Sequence, residues 1–176
     1  YTNRLGKLPA SYALEYEIGR WSDHYTSTHR HYGVTVTPDA LLLGRKTRLL
    51  TSFGYGVTKE SYNDSTVNGF DYSATVLHDF NKDVTAYLRY SYSEANSQNS
   101  LFDYDLDSYS RKLSFGVSWA FTDRDRIVIG ESFDLEARRQ EDIDYYWFHD
   151  MHCAQLILRY RAKRSTWHVD LQFTPW

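Results

Sequence analysis

Apolar and polar residues alternate one by one along most of this chain. The run "KLSFGVSWAF" at 112–121 sets Leu113, Phe115, Val117, Trp119 and Phe121 on one side and Lys112, Ser114, Gly116, Ser118 and Ala120 on the other. Successive side chains of a strand point to opposite faces, so a period of two predicts extended structure. In "YALEYEI", Tyr12, Leu14, Tyr16 and Ile18 oppose Ala13, Glu15 and Glu17. In "VTAYLRYSY", Val84, Ala86, Leu88, Tyr90 and Tyr92 oppose Thr85, Tyr87, Arg89 and Ser91. In "WHVDLQF", Trp167, Val169, Leu171 and Phe173 oppose His168, Asp170 and Gln172. The period throughout is two, not the 3.6 of a helix.

The pattern predicts ten strands, over 11–21, 29–37, 47–58, 69–80, 83–94, 110–121, 126–137, 142–150, 153–163 and 165–175. Most run about nine to twelve residues, beyond the five or six usual in soluble sheets. They match the roughly 9–11 residues that cross a bilayer at a tilt. The connections alternate as well. "FNKD" at 80–83, "FTDRD" at 121–125 and "DMHC" at 150–153 are short, whereas 59–68 and 95–109 are long. Short turns on one rim and long loops on the other are the pattern of outer-membrane barrels. Two features fit less well: "PDALLLGRK" at 38–46 is long for the short rim, and the turns at 138–141 and 163–164 are short for the long one.

Composition moves the reading the same way. The chain has 176 residues, enough for one domain, with three prolines and no linker-like or low-complexity segment. Aromatic residues make up 17%, including sixteen tyrosines. Tyrosine suits extended structure and also the membrane–water boundary, where one end of the ring is apolar and the other wet. The mean hydropathy of -0.62 would suit a plain soluble protein, and no apolar run approaches the roughly 18–20 residues of a membrane helix. A net charge of -3 leaves no basic footprint for nucleic acid. With no initiator methionine and no leader, the chain is expected to be a mature chain or a fragment.

The fold expected is therefore an all-β, antiparallel transmembrane β-barrel of about ten meander strands, one region spanning 1–176. Arg48, Arg89, Lys112, Arg159, Arg161 and Asp170 fall on the inward parity, with Glu15, Glu17, Asp71 and Asp134. Such a mixed-sign, wet wall suits a water-filled lumen or a bound plug. Glu131 has the outward parity and is expected at a rim or in a bulge.

Candidate chemistry is sparse. His149, Asp150, His152 and Cys153 look like half a metal site, but His149 and Cys153 share a strand face that His152 does not, and no second Cys/His pair completes four ligands. His24, His29 and His31 form a looser cluster, read as loop and strand-start residues. Asp103, Asp105 and Asp107 with His24 could imitate the acidic outer-rim site of a barrel protease, yet an acidic loop is more often solvated or bound to divalent cations, and no Gly-x-Ser-x-Gly elbow occurs. No enzyme, cofactor or metal is expected. One cysteine cannot form an internal disulfide, so Cys153 is free or pairs outside this chain.

The C-terminal stretch carries a family likeness. "HDMHCAQLILRYRAKR" at 149–164, with Cys153 opening the penultimate strand and Tyr160, Arg161 and Lys163 ending it, resembles the C-terminal barrel region of the LPS-assembly outer-membrane proteins, the LptD or organic-solvent-tolerance family. The likeness is specific around 149–176 and diffuse elsewhere, including "RLGKLP" at 4–9. The final "LQFTPW" resembles the assembly signal of outer-membrane barrels. Some members carry adjacent cysteines where this chain has His152 and Cys153.

The resemblance implies transport of lipopolysaccharide (LPS) and its insertion into the outer leaflet, without chemical conversion. It implies a larger barrel behind a periplasmic domain, so this chain is expected to be the C-terminal part. Expected partners are LPS, periplasmic LPS-bridge proteins, a plug lipoprotein resembling LptE, and outer-membrane lipid. Cys153 would pair with a cysteine of the missing domain, in the oxidising periplasm. The last strand, with Trp167, Val169, Leu171, Phe173, Pro175 and Trp176, would bound a lateral seam. Pro175 lacks an N–H and would weaken that seam. The alternative is an independent small barrel of porin or adhesin type. A soluble β-sandwich is a third class.

Overall fold

The structure is a computed structural model and describes residues 1–22, 26–62, 65–98 and 109–173. Among these residues there is no helix. The strands are β1 (Thr2–Arg4), β2 (Ala10–Ser22), β3 (Thr26–Pro38), β4 (Leu41–Leu42), β5 (Thr47–Glu60), β6 (Thr66–Asp79), β7 (Val84–Gln98), β8 (Tyr109–Ala120), β9 (Asp125–Asp134), β10 (Arg139–Asp150), β11 (Ala154–Arg161) and β12 (Thr166–Phe173). They form one twelve-stranded sheet in the order β1-β2-β3-β5-β6-β7-β8-β9-β10-β11-β12, with β4 paired to β5 off that path. Each registered pair is antiparallel. The all-β antiparallel meander follows the alternation of the sequence. The path is open, with β1 at one end and β12 at the other, so the described strands do not close into a barrel.

Each of the ten spans expected from the sequence coincides with one long strand. The short β1 and β4 were not expected, because two or three residues show no periodicity. Two turns differ from the expected 138–141 and 163–164: the first lies earlier, at 135–138, and the second is wider, at 162–165. At the first, Asp134 Oδ1 accepts the N–H groups of Glu136 and Ala137, both at 2.9 Å, and Arg138 takes a positive φ of 49°. At the second, Ser165 turns with φ 50°, and the buried Asp142 Oδ1 accepts the Lys163 N–H at 3.0 Å. At the first turn these local side-chain bonds end the strand before its apolar pattern does.

The contacts group the chain into two compact units: Tyr1–Leu41 with Leu50–Ala74 and Ser91–Arg111, and Leu42–Leu49 with Thr75–Tyr90 and Lys112–Trp176. In the first unit, register aligns Leu14, Val34 and Tyr55 on one face, beside the row Tyr16, Tyr32 and Val57. The opposite face carries the row Glu15, Gly33 and Gly56. In the second unit, Val117, Ile129, Tyr145, Tyr160 and Trp167 align across five strands, and Trp119, Ile127, Trp147, Leu158 and Val169 form the next row. The intervening positions put Gly116, Gly130, Asp144 and Arg161 in one row of the other face.

Among the described residues neither unit shows an apolar core of the kind a sandwich builds between layers. Among the described residues the buried apolar ones are Ala10, Val67 and Ala154. The large apolar side chains lie outside, with Val117, Trp119, Ile129, Tyr145, Trp167 and Val169 all exposed.

Candidate functional site

The aligned apolar rows form the first functional surface. They are continuous across β8 to β12, and cross-strand pairing brings their aromatic rings together. Tyr145 and Tyr160 have ring centroids 6.3 Å apart, and Tyr160 and Trp167 4.7 Å. Contiguous exposed apolar surface of this extent marks contact with lipid or a protein partner.

A polar girdle bounds the rows at the short-turn end. Asp125 Oδ1 accepts the Trp147 indole N–H at 3.2 Å and lies 2.8 Å from His149 Nδ1, while Thr122 Oγ1 donates to Asp125 Oδ2 at 2.7 Å. The Thr122 hydroxyl, with the His149 ring next, holds the Asp125 carboxyl below its ordinary range. An indole with its ring among apolar neighbours and its N–H on a carboxylate is the amphipathic use of tryptophan at an interface. His149, considered above as a metal ligand, is thus engaged by Asp125. His152 sits in the turn with φ 77°. No group of three or more His, Cys, Asp or Glu placed to hold a metal occurs among the described residues.

At the other end of the apolar face, Glu131 lies beside a bulge, as its parity suggested. The β9–β10 register shifts between Gln140 and Asp142, and Gln140 Nε2 donates to Glu131 Oε1.

The opposite, polar face of the sheet is the second surface. Asp144 lies between two arginines. Its Oδ1 accepts from Arg159 Nε at 3.0 Å and its Oδ2 from Arg159 Nη2 at 2.9 Å, a two-pronged bond of the stronger charge-assisted kind. Arg161 Nε stands 3.4 Å from Asp144 Oδ1 as an ion pair. The Arg159 guanidinium also lies 5.1 Å from the centre of the Tyr146 ring. Lys112 Nζ pairs with Glu141 at 2.9 Å, and Arg48 Nη2 bonds both oxygens of Asp79 at 3.2 and 3.0 Å. Asp170 accepts from Gln172 at 3.0 Å, and Arg89 is exposed on β7. This face is polar and mixed in sign.

Sequence reasoning missed an aromatic seated on that face. Tyr87 reaches from β7 over Gly116 of β8 to Gly130 of β9. A side chain at Gly116 would meet Tyr87 Cε1 and the Gly130 Cα, each at 2.8 Å, and one at Gly130 would overlap the Tyr87 hydroxyl. The available signal was the pair of glycines at facing positions, since glycine within a strand often marks a close approach.

The last strand β12 is an edge, paired on one side to β11. Trp167 is 71% exposed and Phe173 75%, with Val169 and Leu171 between them also exposed. Pro175 and Trp176 lie outside the described residues, as do His24, Asp103, Asp105 and Asp107. Cys153 is exposed and free in the 151–153 turn, where its N–H donates to Met151 O at 3.0 Å. Comparison with protein-family models, with curated proteins and with solved structures finds no match to this chain.

Proposed function

We propose that this sheet is part of a transmembrane β-barrel in a Gram-negative-type outer membrane. The observation that carries the reading is the placement of the large apolar side chains on one exposed face, while the buried apolar residues among those described are Ala10, Val67 and Ala154. In water that face is a large unpaid cost of roughly 25 cal/mol per Å². In lipid it is the solvent contact. The long strands suit the span. β12 has a free backbone edge, and no free edge is stable inside the hydrocarbon region, so it pairs with a further strand.

Within that frame the proposed activity is transport and insertion of LPS, a transfer without bond chemistry. The likeness of 149–176 to the LPS-assembly family supports it, together with the polar inner wall. LPS arrives from periplasmic bridge proteins at the rim that holds Cys153. An LptE-like lipoprotein fills the lumen against the Asp144–Arg159–Arg161 wall. LPS leaves through a seam bounded by β12. Cys153 is the anchor for a disulfide to a periplasmic domain.

The test uses the full-length protein in its native membrane, with a photo-crosslinking residue at Val169 or Leu171 and a control at Ser118. The expected result is an LPS adduct at the β12 positions, and loss of new surface LPS on depletion. Normal surface LPS on depletion, with ion conductance in planar bilayers, would replace this reading with a small pore. A protein that stays soluble without detergent would overturn the membrane reading itself.

A further inference from the structure

Two neighbouring turns of the second unit meet at the short-turn rim. The first runs from Leu43 to Lys46, and its Leu43 N–H donates to Thr47 O at 2.9 Å. The second is 80–83. Lys46 joins them: its Nζ donates to Phe80 O at 2.8 Å, and its own carbonyl accepts the Asp79 N–H at 2.8 Å. Beside this junction lies an open groove of about 530 Å³, lined by Lys46, Arg48, Asp79, Asn81, Lys82 and Thr85.

The charge of the groove runs against that of the chain. Three of its six lining residues are cations and one is a carboxylate, in a protein of net charge -3. That carboxylate is already occupied: Asp79 takes two bonds from Arg48 and a third from Thr85 Oγ1 at 2.8 Å. The ammonium groups of Lys46 and Lys82 therefore stand in excess. Asp83 lies 4.0 Å from Lys82 Nζ, but that lysine side chain is 90% exposed, so the contact holds it loosely. Asn81 Oδ1 fixes the turn by accepting the N–H groups of Asp83 and Val84, at 2.8 and 2.9 Å. Its amide N–H₂ is left as another donor. An anion with several acceptor oxygens satisfies this set by charge-assisted bonds.

The surroundings say what carries the anion. Leu42 at the end of β4 and Leu43 in the turn with Arg45 and Lys46 are 68% and 55% exposed, and Phe80 is 55% exposed next to Asn81 and Lys82. Free phosphate makes no use of protruding leucines. Apolar tips beside basic residues are the arrangement of an interfacial segment, in which the tips enter the acyl region and the cations meet headgroup phosphates. We propose that this groove binds the phosphate of an anionic glycerophospholipid in the adjacent leaflet. The proposal rests on the membrane reading above and adds a lipid site to it.

The test is the full-length protein in nanodiscs of phosphatidylcholine containing a minor share of phosphatidylglycerol, with the co-retained lipid measured by native mass spectrometry. Phosphatidylglycerol should be enriched around the native protein. Lys82→Gln and Arg45→Gln should each lower the enrichment about fivefold. Leu42→Ser with Leu43→Ser should lower it with the charge unchanged. Heat-modifiable gel mobility shows that each variant is folded. No enrichment around an inserted native protein overturns the site and leaves the membrane reading intact. Enrichment that survives both charge variants also overturns the site. Enrichment abolished by millimolar inorganic phosphate, yet indifferent to the leucine change, makes it a free-anion site and overturns the lipid assignment. Failure to insert into nanodiscs overturns the membrane reading.

Discussion

The Tyr87 hydroxyl lies against Gly130 two strands away, in the place a methyl group would occupy. The ring crosses Gly116 to reach it, so two glycines and one tyrosine fix the relative positions of β7, β8 and β9. Gly130→Ala should destabilise the folded protein by about 1–3 kcal/mol, the usual range for overpacking. Tyr87→Phe removes the atom that clashes, so the double variant should recover part of that loss. A double-mutant cycle in urea, in detergent or lipid, reads the coupling. Strict additivity of the two changes would show that the hydroxyl does not fill the site.

The two faces of the sheet should respond oppositely to charge. Ile129 sits mid-row on the apolar face, between Val117 and Tyr145. Ile129→Arg should cost about 2–4 kcal/mol in a bilayer. Ser114→Lys, on the polar face opposite Ser132, should fold with little loss. Equal penalties for the two would contradict the division into a lipid face and a wet wall.

Asp144 holds Arg159 by two bonds at 3.0 and 2.9 Å, and Arg161 by one contact at 3.4 Å. Asp144→Asn should therefore cost about 1–3 kcal/mol, the range for hydrogen bonds to charged groups. Arg159→Gln should cost more than Arg161→Gln. Thermal midpoints of the three variants in one detergent give the order, and a reversed order of the arginines would contradict the geometry.

The Asp125 girdle should make stability depend on acid. Bonded by Thr122 and then His149, this carboxyl ionises below its ordinary range. A carboxyl depressed by folding adds stability above its unfolded pKa and loses it as pH falls through the folded one. The unfolding midpoint should stay level from neutral pH down to about pH 4 and fall below that. Asp125→Asn should lower the plateau and flatten the acid slope. An unchanged acid slope would place its origin in other carboxylates.

The strands were legible in the sequence because their signal is local and repeated. Ten alternating runs gave ten strands, and parity alone put Arg159 and Arg161 on the face opposite Leu158 and Tyr160. Strand ends were less legible. The run through Ala137 looked extended, but the Asp134 side chain binds the next turn and stops the strand there. Partners across the sheet were not legible. Asp144 meets Arg159, and Asp125 meets His149, only through registers set by the turns, and a shift of one residue would reverse every side chain. The girdle at Asp125 left no local mark for the same reason: its indole and imidazole come from another strand. Glu131 is the exception, since an isolated charge on the apolar parity pointed to an irregularity, and the register shift at Gln140 lies beside it.

With Ala10, Val67 and Ala154 as the buried apolar residues among those described, folding yields little hydrophobic gain until the surroundings provide it. On the proposed membrane reading the acyl chains take the part that a protein interior plays elsewhere, so insertion and folding would be one reaction. A single strand sent into the hydrocarbon would carry bare amide and carbonyl groups at several kcal/mol each. Neighbouring strands must therefore arrive already paired. A hairpin, rather than a strand, is the smallest piece of this chain that a membrane can accept.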